Sequence, residues 1–367
     1  MKGSRGFLAL FVFPIAIVGW VIVPDASAAA ISACGGWTQV RAPDVHVLDD
    51  ISAASSSDVW AVGWAIEHWD GSAWTVVPNP QPSATLFAVT TLSSSDAWAV
   101  GTDNDAPQTQ RAVVEHWAGS AWNVITLPSQ PGSFAVLEDV STSSSSDGWA
   151  VGSSVAQDSS TRTLTYHWDG VQWTLVPSPN VGKIDRLLGV VSLSPSDVWA
   201  VGSFEGRSLI VHPLVEHWDG SAWSIVKLPG QVGGMYLTRV TGSSSSDVWA
   251  VGSIRSGEGT MPVAEHWDGT VWSATPTIGG AGQTNVFNDV LESSLNDVWA
   301  VGDSATLTLA EHWDGSAWSI VPSANPGDLS DSLSGVGGVP GGDLWAVGFD
   351  KTSSPRGDHS LIERCSG

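Results

Sequence analysis

Positive charge is scarce in this chain. Lys and Arg total 14 among 367 residues, against 37 Asp and Glu, for a formal net charge of −23. A surface this acidic has few cations with which to displace counterions from phosphates, which argues against nucleic acid as a partner. Anionic lipid headgroups would repel it for the same reason. Cysteine is nearly absent too: Cys34 and Cys365 stand at opposite ends of the chain and leave room for one bridge. Only two tyrosines occur, Tyr166 and Tyr236. No Ser-His-Asp order, metal-ligand spacing or phosphate-cradling glycine loop appears, so no catalytic residue, cofactor or metal ligand is nominated. Helical periodicity is missing outside the first thirty residues. What is abundant is tryptophan, with 22 copies, and glycine, with 40.

The first thirty residues carry Lys2 and Arg5, then the apolar run "FLALFVFPIAIVGWVIV", then the small-residue stretch "DASAAA". This order reads as a secretory signal peptide over residues 1–30, cleaved after Ala28 or Ala30. An uncleaved anchor is the alternative, since the run is near the lower limit for a membrane span. Export would place both cysteines in an oxidising, extracellular or cell-surface setting. After cleavage no stable membrane insertion is expected.

Beyond the leader the chain repeats itself. "DVWAVG" or a close variant begins at Asp58, Asp96, Asp147, Asp197, Asp247, Asp297 and Asp343, with steps of 38, 51, 50, 50, 50 and 46 residues. Ten residues before each Asp stands Leu48, Leu86, Leu137, Leu187, Leu237, Phe287 or Leu333. After "WAVG" comes a variable stretch, then "EHWDGSAW" or a relative. β-branched and aromatic residues alternate with Ser, Asp and Gly clusters, so each repeat reads as four short strands. "WDGSAW" marks a tight hairpin, because Asp and Gly tolerate positive φ.

Four-stranded repeats of this length are blades of a β-propeller. The ends of the chain carry one split repeat. Leu361–Gly367 supplies a third strand with no fourth, and "CGGWTQVRAP" at 34–43 supplies a fourth strand with no third. Joining them gives an all-β, seven-bladed propeller whose N-terminal strand completes the last blade and leaves no open sheet edge. The expected domain is 31–367. Its blades are 44–82, 83–131, 132–181, 182–231, 232–281, 282–327 and 328–367, with the outer strand of the seventh at 34–43. Cys365 takes the third-strand Trp position and Cys34 lies near the missing turn, so a disulfide between them would replace the absent peptide connection. Closing so long a loop contributes roughly 4–5 kcal/mol in the chain-entropy picture. Two free thiols are the alternative.

The tryptophans recur at fixed positions, which marks a scaffold rather than a ligand platform. Trp60, Trp98, Trp149, Trp199, Trp249, Trp299 and Trp345 form the second-strand set. A buried Trp removes about 150–250 Å² from water, or roughly 4–6 kcal/mol before entropy. The recurring histidines, His68 to His312, sit in separate blades and cannot converge on one ion; they are expected to hydrogen-bond within or between sheets. The Asp that opens each motif is expected to accept from backbone N–H groups of its Ser-rich turn.

The pattern "DVWAVG … HWDGSAW" resembles secreted bacterial β-propellers with kelch-like or neuraminidase Asp-box repeats, and is similar to propellers of the photosystem-assembly type. The likeness spans Cys34 to the end and implies the fold, not an activity. The kelch double glycine is mostly absent, and the Asp-Gly turn is one residue shorter than an Asp-box. A sialidase relation would imply an arginine triad and a Tyr nucleophile, yet Tyr166 stands where other repeats carry Glu.

Function is expected on the face that varies. Second-to-third connections range from three residues after Gly63 to fourteen after Gly348, and variable loops on a rigid scaffold carry recognition. Arg111, Arg162, Arg207, Arg255 and Arg356 fall in these connections, in five repeats. They are the candidate ligand-binding residues. The expected function is a non-catalytic binding or adhesion module for an extracellular carbohydrate or surface protein. A polysaccharide-active hydrolase or lyase and a structural surface-repeat protein are the alternatives.

Overall fold

The computed structural model describes residues 34–105, 110–128, 132–206, 210–230, 233–257, 259–279, 284–353 and 357–366. The proposed signal peptide lies outside them, as do Arg207 and Arg356. Among the described residues every regular element is a strand. No helix among them is long and apolar enough to cross a membrane.

Repeat 1 sets the plan, with strands Leu48–Ser55, Asp58–Gly63, Ile66–Trp69 and Trp74–Val77. They pair antiparallel in order of sequence. The "VWAVG" segment of each second strand is buried throughout, as Val59 to Gly63 are. That is why "VWAVG" is a continuous apolar run rather than an alternating one. Among the described residues the sheets number five of four strands and one of eight, in which two four-stranded arrays meet through the single parallel pair Thr161↔Ile184. One of the four-stranded sheets joins the two ends of the chain. Thr38–Gln39 pairs antiparallel with Asp358–Cys365, Thr38 opposite Arg364.

The glycine closing each "WAVG" answers to a bulge. In repeat 3 the register slips between Leu137 and Asp139, and a Cβ on Gly152 would land on the Val136 carbonyl oxygen. Only a residue without a side chain fits such an approach.

Each hydrophobic cluster joins consecutive repeats. Trp60 and Val62 of repeat 1 pack with Leu86, Val89 and Trp122 of repeat 2, and the series continues to Trp299 of repeat 6 against Leu333 and Val336 of repeat 7. Repeat 7 in turn packs on repeat 1: Trp345, Val347 and Ile362 share a cluster with Leu48, Ile51, Trp69 and Trp74. Tryptophan carries most of this contact. Trp60 lies 4.6 Å from Trp117 and 5.2 Å, edge-on, from Trp122. The same pair of contacts recurs where Trp345 meets Trp69 at 5.1 Å and Trp74 at 5.4 Å. Edge-to-face stacking suits the quadrupoles of the rings and adds to the area buried.

A disulfide joins Cys34 to Cys365, whose Cα atoms are 5.7 Å apart. Both sulfurs sit in the cluster that holds Trp37 and Trp299.

Candidate functional site

The motif aspartates differ from expectation. Their carboxylates turn to the third strand instead of the turn amides: His68 Nε2 lies 2.7 Å from Asp58 Oδ1, and five equivalent pairs run to His312 and Asp297 at 2.8 Å. Each of these imidazoles also lies against the second-strand Trp of its own repeat, at 4.0 Å for His116 on Trp98. Strand register brings these residues face to face, Trp60 opposite His68, and so carries the Asp–His pair across the sheet. In repeat 7 the His position holds Arg364, which bonds Asp343 and lies over Trp345 at 5.2 Å. A guanidinium reproduces both contacts, hydrogen bond and ring face. Among the described residues no group of three or more His, Cys, Asp or Glu is placed to hold a metal ion.

Three of the candidate arginines occupy the ends of extended second-to-third hairpins. Arg111 opens a third strand opposite Asp103, Arg162 stands opposite Ser154, and Arg255 lies opposite Thr260. Arg111 and Arg255 are exposed. Arg162 is half-buried, with a loose contact to Asp158 at 3.9 Å. Among the described residues no hydrogen bond or ion pair joins one of these three to another. Arg207 and Arg356 are outside the described residues.

A second set of polar residues, which periodicity alone hides, meets inside the molecule. The first strands of all the repeats face a common cavity of about 250 Å³ lined by Asp49, Phe87, Glu138, Leu188, Arg239, Asn288 and Ser334, with Thr238. Leu48 pairs with Gly63, and Ser55 with Asp58, so the start of each first strand lies beside the second-to-third hairpins. This cavity therefore opens on the side that carries Arg111, Arg162 and Arg255. Beyond Arg239, toward the first-to-second turns, lies a cavity of about 180 Å³ lined in part by Asp50, Asp139 and Asp289.

These three aspartates brace neighbouring repeats. Asp50 accepts from its neighbour Ile51 N at 2.7 Å and from Val89 N of the next repeat at 2.8 Å. Asp139 does the same for Val140 and Val190, and Asp289 for Val290 and Val336. The following repeat carries a small residue at the equivalent place: Ala88, Gly189 or Gly335. A Cβ on Gly189 would sit 2.7 Å from Arg239 Cα, and one on Gly335 would sit 2.7 Å from Asp50 Cα. Repeat 5 breaks the series with Arg239, whose Nη1 donates to the Leu188 carbonyl at 2.7 Å and whose Nε lies 3.8 Å from Asp289.

The electrostatics follow from burial. Burial pushes Asp49 up to about 6, against the pull of Arg239 and with help from Glu138. Burial likewise raises Glu138, opposed by Arg239 and Arg186. Asp139 is raised to about 6, because burial outweighs Arg239 and the two backbone N–H groups. For Arg239, burial opposes the charge, but Asp139, Asp289, Asp50 and Glu138 together hold its pKa above the ordinary value. The wider mouth thus presents a fixed cation beside two carboxyls, Asp49 and Glu138, that burial holds above the ordinary carboxylate range. Such a set can donate and accept hydrogen bonds at once, which suits a hydroxyl-rich or amide-rich ligand.

A further carboxyl set is buried between sheets. Glu67, Glu115, Glu216, Glu311 and Glu363 are fully buried in the third strands. Burial pushes Glu67 and Glu216 up to about 8, and Glu115 and Glu363 to about 7. Tyr166 holds this place in repeat 3, fully buried. A phenol locked in the core is not the nucleophile a sialidase relation would require.

No protein-family profile matches the chain, and a comparison with curated proteins gave no match. Solved structures do resemble it. A structure of YCF48 bound to a D1 peptide matches with TM-score 0.57 and 14% identity, over 93% of this chain and 100% of that one. The WD40 β-propeller domain of Doa1 matches at 0.59 and 14%, over 90% and 96%. The GH74 xyloglucanase from Xanthomonas campestris matches at 0.57 and 12%, over 88% of this chain and 55% of that one. At such identities the likeness shows the fold alone: the chain is an all-β protein of β-propeller type.

Proposed function

We propose that this chain is a secreted, seven-bladed β-propeller, a single domain over 31–367 exported through the signal at 1–30, that acts as a non-catalytic binding or adhesion module for an extracellular glycan or surface partner. The ring reading is supported by the pairing of Thr38 with Arg364 and by the packing of Trp345 on Trp69 and Trp74. The observation that carries the binding reading is the mouth around Arg239, which opens on the same side as Arg111, Arg162 and Arg255. Scarce cations are thus gathered on one side of an acidic body, where an anionic or hydroxyl-rich chain would meet them. Two propellers similar in fold are described as bound to a peptide and as a xyloglucanase.

The test is a glycan array and a cell-wall pull-down with the secreted protein, against a variant carrying Ser at Arg111, Arg162, Arg207, Arg255 and Arg356. Loss of signal in the variant is expected. Undiminished signal would remove these residues from the site.

One observation favours the enzyme alternative: Asp49 and Glu138 share the mouth, and both are raised by burial beside Arg239. A carboxyl whose pKa is raised by burial can serve as a general acid in glycoside cleavage. New reducing ends released from a bound polysaccharide, and lost in Glu138→Gln, would establish this reading in place of simple binding.

A further inference from the structure

Two of the buried third-strand glutamates bond the segment that leaves the preceding repeat. Glu311 Oε2 accepts from the Ile278 amide at 3.1 Å. One repeat on, Glu363 Oε1 accepts from the Ala324 amide at 2.8 Å. Ile278 and Ala324 hold one place in the repeat, six residues after the fourth-strand Trp272 and Trp318. Counting six from Trp37, Trp74, Trp122, Trp173 and Trp223 gives Pro43, Pro80, Pro128, Pro179 and Pro229. A prolyl nitrogen carries no hydrogen, so it has nothing to donate.

The acids that face these prolines are left without a bond. Glu67, Glu115 and Glu216 follow Pro43, Pro80 and Pro179, and all three are fully buried. Among the described residues neither oxygen of any of them has a hydrogen-bond partner. After Pro128 the position holds Tyr166, whose hydroxyl is equally unpartnered. Glu265, after Pro229, is slightly less buried. Charge gives the three glutamates no relief either. Burial alone raises Glu115 to about 7. Burial raises Glu67 to about 8, and the carboxylate of Asp44 adds to the rise. Burial raises Glu216 to about 8 as well; Ser178 eases it, and Asp185 adds to it. The Ser178 hydroxyl itself donates to Thr163 Oγ1 at 2.8 Å. A carboxyl buried with neither donor nor cation is tolerated in its protonated form and penalised once it ionises.

We infer that Pro43, Pro80 and Pro179 turn a structural hydrogen bond into a proton-sensing device, in which Glu67, Glu115 and Glu216 pack as neutral acids and loosen their seams when they ionise. The device acts where repeat 7 meets 1, where 1 meets 2 and where 3 meets 4. Below pH 4.5, the ordinary glutamate value, folded and unfolded chains both keep these protons. Above it the unfolded chain releases them first, so stability falls as pH rises and levels off only above about 8. The fold is thus tightest in acid.

The experiment follows urea unfolding of the purified protein by tryptophan fluorescence from pH 5 to pH 9. Wild type is compared with Pro80→Ala, Glu115→Gln and the two changes together. Pro80→Ala returns an N–H to the place from which Ile278 and Ala324 donate. Losing the proline also frees the unfolded chain, but that effect carries no pH dependence. Wild-type stability should fall between pH 5 and pH 8. The fall should be smaller in Pro80→Ala, because the Glu115 pKa drops by about one unit or more once its carboxylate accepts a bond. In the Glu115→Gln background, Pro80→Ala should leave the pH profile unchanged. Pro179→Ala repeats the measurement through Glu216 at a second seam, in case one variant fails to fold. Ala324→Pro is the converse and should steepen the fall through Glu363. A wild-type profile flat between pH 5 and pH 8 would overturn the inference. So would Pro80→Ala and Pro179→Ala profiles as steep as that of wild type.

Discussion

Glu115 offers a clean test of how the sheets are packed. It is fully buried in a third strand, opposite Ala99 on one side and Val124 on the other. Neither carboxyl oxygen has a hydrogen-bond partner among the described residues. Burial alone pushes its pKa from 4.5 up to about 7. At one pKa unit per 1.36 kcal/mol, that shift corresponds to about 3 kcal/mol. The sign follows from proton counting. Below pH 4.5 the folded and unfolded chains both hold the proton and Glu115 exacts no penalty. Between 4.5 and about 7 the folded chain keeps a proton that the unfolded chain has released, so stability falls as pH rises. Above about 7 the penalty is complete. Glu115→Gln keeps shape and polarity but cannot ionise. Its denaturant midpoint should match wild type near pH 4.5 and exceed it at pH 8, by about 3 kcal/mol in unfolding free energy. Fluorescence-detected unfolding at both pH values measures the difference. A variant that differs from wild type by the same amount at both pH values would refute the argument, because a packing effect carries no pH dependence.

Arg239→Met should destabilise the fold by about 3–5 kcal/mol at neutral pH, since Asp139, Asp289 and Asp50 would lose their buried counter-charge. The loss should shrink near pH 5, below the value of about 6 to which Asp139 is raised; urea unfolding at the two pH values checks this. Asp139→Ala should cost about 2 kcal/mol or more, because the buried Val140 and Val190 amides lose their acceptor. Amide exchange should locate that damage at the seam between repeats 3 and 4, and uniform loss of protection over all repeats would contradict the bracing role. Arg364→Ala should destabilise repeat 7 by about 1–3 kcal/mol through the loss of Asp343 pairing and of the contact with Trp345, and Arg364→His should recover part of it. An Arg364→His variant no more stable than Arg364→Ala would show that the two residues are not equivalent.

Much of the architecture is legible in the sequence, because it rests on residues that recur. The strand-forming motifs, the Asp-Gly hairpin and the split repeat at the chain ends all follow from spacing. The hairpin works a little differently from the expectation: Gly71 takes the positive φ of 92°, while Asp70 stays regular and caps Ser72 and Ala73 with its side chain. The Asp58–His68 pairing is hidden because strand register, not sequence separation, brings the two together. Asp50, Ala88, Asp139, Gly189, Arg239, Asp289 and Gly335 share one repeat position but not one residue type. Averaging over repeats erases them, although a charged residue one place before the recurring Val or Ile is a usable signal once the strand is known to line a cavity. Trp64 is legible by subtraction. It is the one tryptophan after residue 30 with no equivalent in another repeat, and its place in a variable connection distinguishes it from the scaffold.

The account depends most on the two chain ends meeting. Non-reducing peptide mapping of the protein, purified without reductant, tests this directly. The account predicts one linked peptide pair containing Cys34 and Cys365 in nearly all molecules, separable only after reduction. Two free, alkylatable thiols in folded protein would contradict it, and with it the placement of the binding side.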